Sequence, residues 1–90
     1  MVTLDSFENF IKVGDFVSVR VEEGVIYNGE YLGSDIMFER HILIGPLTTS
    51  LEEIKREVKN LKLEQEHVIN FKTMLPINTI KSYALLWQKK

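Results

Sequence analysis

The stretch from Phe16 to Ile44, FVSVRVEEGVIYNGEYLGSDIMFERHILI, leaves few alternatives to a bent antiparallel meander. Val17, Val19 and Val21 alternate with Ser18 and Arg20, the period of two that gives a strand one buried face. Glu22-Glu23-Gly24 supplies a short reversal, with Gly24 at the position that needs a positive φ. The second strand runs from Val25 to about Gly33 and puts Val25, Tyr27, Gly29, Tyr31 and Gly33 on one face. Its glycines remove side chains where a bent strand would crowd itself. Ser34-Asp35 is expected to make the next reversal, and Met37 to Ile44 the third strand, stopped by Gly45-Pro46. A meander of this shape tends to curl into a small barrel.

Helical patterns flank that core. Leu4, Phe7, Phe10 and Ile11 share one face of a short helix over residues 3–12, and Asp5 and Glu8 are spaced as a capping box. Two turns are not stable alone, so this face must lie on the sheet or on a neighbour. After the loop 45–49, Ser50 and Glu53 mark the start of a second helix. Leu51, Ile54, Val58 and Leu61 form a 3-4-3 apolar seam along it, Glu52 and Arg56 are i, i+4 partners, and the helix is expected to end between Asn60 and Glu66. Lys55, Lys59 and Lys62 flank the seam as a basic stripe, read as a solvated face. A fourth strand is expected over His67 to Leu75, with Ile69, Phe71 and Thr73 on one side and Pro76 ending the pairing. Ile77 to Leu86 reads as a fifth strand with Ile80 and Tyr83 as core or interface residues, and Trp87 to Lys90 as a tail.

Ninety residues hold one domain, 1–90, with a modest core, near the size where assembly often adds stability. A net charge of −2 argues against broad, non-specific nucleic-acid binding, while leaving room for a local basic patch. The chain has no cysteine, which removes disulfides, thiol chemistry and cysteine-rich zinc sites. No run approaches the ~20 apolar residues that span a bilayer, and Met1 to Val13 lacks the basic cluster and apolar run of a secretory signal. A cytoplasmic protein without a membrane partner is the expectation.

No catalytic constellation stands out. His41 and His67 have no second ligand at metal spacing, and Glu22-Glu23 and Glu52-Glu53 are neighbours in sequence that do not converge. Asp35 reads as a turn residue that bonds its own backbone. Neither a P-loop nor a Ser-His-Asp order is present. Tyr27, Tyr31, Phe38 and Phe71 read as core or subunit interface rather than as stacking platforms for bases. The reading is of a non-enzyme with no cofactor and no metal.

Helix, three strands, inserted helix and two strands, with a bent meander at the centre, resemble the Sm-like family. Gly29, Tyr31, Asp35, Phe38 and Ile42 fit the spacing of its first motif, with Gly24 as the turn glycine ahead of it. Leu75, Ile80 and Tyr83 occupy the hydrophobic positions of the second. The resemblance covers Phe16 to Ile44 and Phe71 to Tyr83. It implies a mostly β fold, a small five-stranded SH3-like Sm-type barrel with an N-terminal helix and a helix inserted between strands 3 and 4. It also implies a homo-oligomeric ring, of about five to seven copies, in which the fourth strand of one subunit pairs with the fifth of the next.

The resemblance further implies single-stranded RNA as a partner, met by Met37, Glu39, Arg40 and Asn78 near the pore. Met37 falls at the first base-stacking position and Glu39 at that of an asparagine that reads the base edge. Pro76-Ile77 stands where the family has Arg-Gly, so the stacking cation is missing. An ionised carboxylate cannot donate as an amide does, so uridine recognition of the family type is expected to be weakened. The alternative is an assembly ring that binds protein partners without nucleic acid.

Overall fold

The fold is described from a computed structural model over residues 2–21, 24–35, 37, 40–63 and 67–90. Its elements are α1 (Leu4–Phe10), β1 (Phe16–Val21), β2 (Ile26–Asp35), β3 (His41–Gly45), α2 (Leu51–Glu57), β4 (Thr73–Pro76) and β5 (Ile80–Trp87). The five strands form one antiparallel sheet in the order β4-β3-β2-β1-β5. β4 and β5 lie at opposite ends of that order, so the sheet is open and the expected closed barrel is not formed.

β1 follows the predicted alternation. Val17 and Val19 are fully buried and stand opposite Gly29 and Tyr27. Gly24 adopts the positive φ that the hairpin demands. The two glycines in β2 have different causes. A Cβ on Gly29 would come within 2.5 Å of the Gly45 carbonyl, so it is the close approach of β3 that excludes a side chain there. Gly33 has φ +116 and sits at the register shift between Tyr31 and Gly33, a bulge that bends the strand. Because the bulge absorbs the bend, β2 continues through Ser34 and Asp35, where a reversal was expected.

β3, β4 and β5 each begin later than the sequence pattern predicts. β3 begins at His41, so Met37 belongs to the preceding turn. β4 is confined to Thr73–Pro76, and Phe71 stands outside it, 73% exposed instead of sharing the Ile69 face. Ile77–Thr79 form a one-turn 3-10 helix, closed by the Thr79 hydroxyl donating to the Pro76 carbonyl at 2.7 Å, so β5 starts only at Ile80. It extends to Trp87, which pairs with Phe16 and is therefore sheet rather than tail.

α1 packs Leu4, Phe7 and Ile11 into one cluster with Val17, Val19, Tyr31, Ile42, Ile44, Leu75 and Ile80. Phe7 meets Tyr31 and Tyr83 edge to face, with ring centroids 5.0 and 4.7 Å away. The capping box is Thr3 with Ser6, two residues earlier than the expected Asp5 and Glu8: Thr3 accepts from the Ser6 N–H and Ser6 from the Thr3 N–H. Asp15, nearly fully buried, then fixes the entry to β1. One of its oxygens accepts from the Lys12 N–H at 2.8 Å, the other from the Lys89 N–H at 3.1 Å.

The opposite face of the sheet is covered too. Phe16 and Ile54 are fully buried outside the α1 cluster. Glu30, the partner of Phe16, accepts from both the N–H and the hydroxyl of Thr48. The Trp87 indole N–H donates to Glu57 at 2.6 Å. These contacts lay α2 and its leading loop across β2 and β5. Ser50 caps α2 by accepting from the Glu53 N–H at 3.2 Å. The helix stops at Glu57, shorter than expected, because Val58 leaves helical geometry at φ −113, ψ 90. Of the seam, Ile54 is sealed, whereas Leu51, Val58 and Leu61 are half-buried. Among the described residues, no helix is long and apolar enough to cross a membrane.

Candidate functional site

The free ends of β2, β3 and β4 meet at one end of the sheet. Asp35 pairs across the ladder with His41, and His41 with Pro76. An Asp35 carboxylate oxygen accepts from the Met37 N–H at 2.9 Å, an Asx turn that reverses the chain just after the strand. Arg40 completes the reversal at φ 58, a left-handed conformation rare outside glycine, asparagine and aspartate. Its carbonyl accepts from the Ile77 N–H at 3.2 Å. That single bond ties the turn after β2 to the 3-10 helix after β4.

Three of the four predicted contact residues therefore share one end of the molecule. Met37 is 90% exposed. Arg40 and Asn78 are also exposed, on the two turns joined by the Arg40–Ile77 bond. Glu39 and the motif position Phe38 lie outside the described residues. Chemically, the three offer a polarisable apolar surface, a guanidinium with five donors and an amide that donates and accepts. They can hold a planar heterocycle and a phosphate, and they offer no nucleophile paired with a base.

The remaining motif positions are structural. Tyr31, Ile42 and Ile80 are buried in the α1 cluster, Gly24 and Gly29 serve the backbone, and Asp35 serves its own turn. His41 was read as a bland histidine, yet its Nδ1 is buried without a hydrogen-bond partner at this end of the sheet.

A second polar group lies over the core. The Tyr31 hydroxyl donates to Glu8 at 3.2 Å, and the Ser34 hydroxyl reaches the same oxygen at 3.4 Å. Burial pushes the Tyr31 phenol well above its usual range, and the neighbouring Glu8 carboxylate adds to the shift. Among the described residues, no three histidine, aspartate or glutamate side chains come together as a metal site.

At the other end of β2 lies a groove of about 360 Å³ between Val25–Tyr27 and the segment 67–73. The segment is held there by the Ile69 N–H donating to the Asn28 carbonyl. Phe71 and Val25 line the groove and are both exposed. Sequence reasoning missed it because Phe71 fitted a strand pattern.

No family model matches the chain, and comparison with curated proteins and with solved structures returns no match.

Proposed function

We propose that this chain is an Sm-like, ring-forming protein with a divergent SH3-like barrel, and that the 37–41 and 76–79 turns bind single-stranded RNA. The observation that carries the RNA reading is the Ile77–Arg40 backbone bond, which brings Met37, Arg40 and Asn78 to one end. The motif resemblance expects its contacts on these two turns. The assembly reading rests on the open sheet. β4 and β5 each expose one row of backbone donors and acceptors, which need pairing or protection. Pairing β4 of one copy with β5 of the next is a head-to-tail contact that closes into a ring.

Binding is weak and has little uridine preference in this reading. Glu39 replaces the amide reader, and Pro76-Ile77 replaces the stacking cation. A second reading, a ring that binds only proteins, is favoured by the exposure of Phe10, Phe71 and Met74, at 54, 73 and 42%.

Light scattering at micromolar concentration, followed by titration with short oligonucleotide pools at low and moderate salt, tests both halves. An assembled mass with salt-sensitive binding supports the proposal. A monomer overturns the ring, and an assembled protein indifferent to every pool leaves the protein-binding reading.

A further inference from the structure

The chain has no cysteine, so its sulfur chemistry falls to three methionines, Met1, Met37 and Met74. Met37 is 90% exposed and Met74 42%, while Met1 lies outside the described residues. A thioether is oxidised where a dissolved peroxide can reach it, and of the two described sulfurs Met37 is the more open.

The backbone beneath Met37 is anchored. Its N–H donates to the Asp35 carboxylate at 2.9 Å, and Arg40 at the end of the same reversal accepts from the Ile77 N–H at 3.2 Å. The Met37 side chain projects from this turn and takes no part in the hydrophobic core. A change in its polarity therefore leaves the fold in place and alters only the surface offered to a ligand.

That change is large for the contact proposed here. The thioether is apolar and polarisable, suited to the face of a base. The sulfoxide is polar and chiral, with an oxygen of partial negative charge. Water solvates it well, so covering it with a base costs desolvation. Its oxygen also meets phosphate with like sign. Both effects weaken the hold on a nucleotide.

We propose that Met37 is a redox modification site, switching the turn that ends at Arg40 between a binding thioether and a weaker sulfoxide. The oxidant is a peroxide. One peroxide oxygen forms the S–O bond as the O–O bond breaks; sulfur gives up two electrons, and hydrogen peroxide leaves as water. Return requires two thiols, which form a disulfide while the sulfoxide oxygen departs as water. This chain holds no thiol, so a separate reductase supplies them. The inference rests on the RNA part of the proposed function and adds its regulation.

The test compares wild type, Met37→Leu and Met74→Leu before and after hydrogen peroxide, by fluorescence anisotropy with labelled U, A and C oligomers. Peptide mass mapping locates each gain of about 16 Da. Thermal melts and light scattering check fold and mass. The expected result is conversion of Met37 and a several-fold loss of affinity in wild type and Met74→Leu, with melt and mass unchanged. Reductases acting on both sulfoxide epimers, with a dithiol, restore the affinity. Met37→Leu keeps its own starting affinity after peroxide.

Full conversion of Met37 at unchanged affinity overturns the switch and leaves the RNA reading standing. So does a loss of the same size in Met37→Leu, which assigns the effect to another residue, or a loss that comes with an altered melt or mass. Met74 converting while Met37 resists also overturns it. A reduced wild type that binds no oligomer overturns the RNA reading, and the switch with it.

Discussion

The N–H of Ile77 donates to the carbonyl of Arg40 at 3.2 Å, and this bond holds Arg40 in a left-handed conformation at φ 58. A residue with a Cβ pays roughly 1–2 kcal/mol there. Glycine avoids that strain but brings an entropic cost of roughly 0.5–1 kcal/mol. Arg40→Gly is therefore expected to stabilise the fold by about 0.5–1 kcal/mol in urea unfolding while lowering oligonucleotide affinity. Arg40→Ala keeps the strain, so it lowers affinity without the gain. Equal stability of the two variants would show that the turn is not strained.

The sequence disclosed the sheet more fully than the site. Alternation in Val17, Val19 and Val21 is set by the pleat, and β1 obeys it. The bulge at Gly33 was invisible because a glycine marks freedom, not direction, so the strand appeared to end early. α2 falls short of its seam because Ile54 is the one seam residue that is fully buried, and Val58 leaves helical geometry while only half-buried. Asn28 and Glu30 are buried despite their polarity, Glu30 beneath the loop that donates to it through Thr48. At the candidate site, Met37, Arg40 and Asn78 were named by the family resemblance alone, and the structure places them at one end of the molecule. The groove depended on segment 67–73 crossing back to Asn28, a long-range pairing that no local pattern encodes.

Ile54 is fully buried, so Ile54→Ala is expected to cost roughly 2–5 kcal/mol in chemical denaturation. Leu61→Ala, half-buried beyond the end of α2, is expected to cost clearly less. Equal losses at both sites would mean that the seam extends as one continuous helix.

Tyr31 gives a stability signature at alkaline pH. Its phenol is raised above the unfolded value of about 10 by burial and by Glu8. Above that value the unfolded chain releases a proton that the folded chain retains, so stability falls as pH rises between the unfolded and folded values. Tyr31→Phe cannot ionise, and its stability is expected to decline less over this range. Parallel decline of both proteins in urea titrations from pH 9 to about 11.5 would assign the loss to other groups.

Glu39→Asn removes a negative charge and restores a group that can donate and accept. It is expected to raise affinity for uridine oligomers more than for adenine or cytosine oligomers. The gain stays modest because Pro76 and Ile77 supply no stacking cation, a contribution of ~0.5–2 kcal/mol. A uniform rise across all three oligomers would reduce the effect to charge alone.

Binding at the joined turns is tested most directly by fluorescence anisotropy with labelled U, A and C oligomers of about six nucleotides at one fixed low salt. Wild type, Arg40→Ala, Asn78→Ala and Lys59→Ala are compared, the last on the exposed face of the inserted segment. The account predicts weak wild-type binding with little base preference, a several-fold loss in Arg40→Ala, a smaller loss in Asn78→Ala and none in Lys59→Ala. Repeating the titration at moderate salt should show a log–log slope lower by about one for Arg40→Ala. Wild-type binding that ignores Arg40 and Asn78, or tight uridine-selective binding, would contradict it.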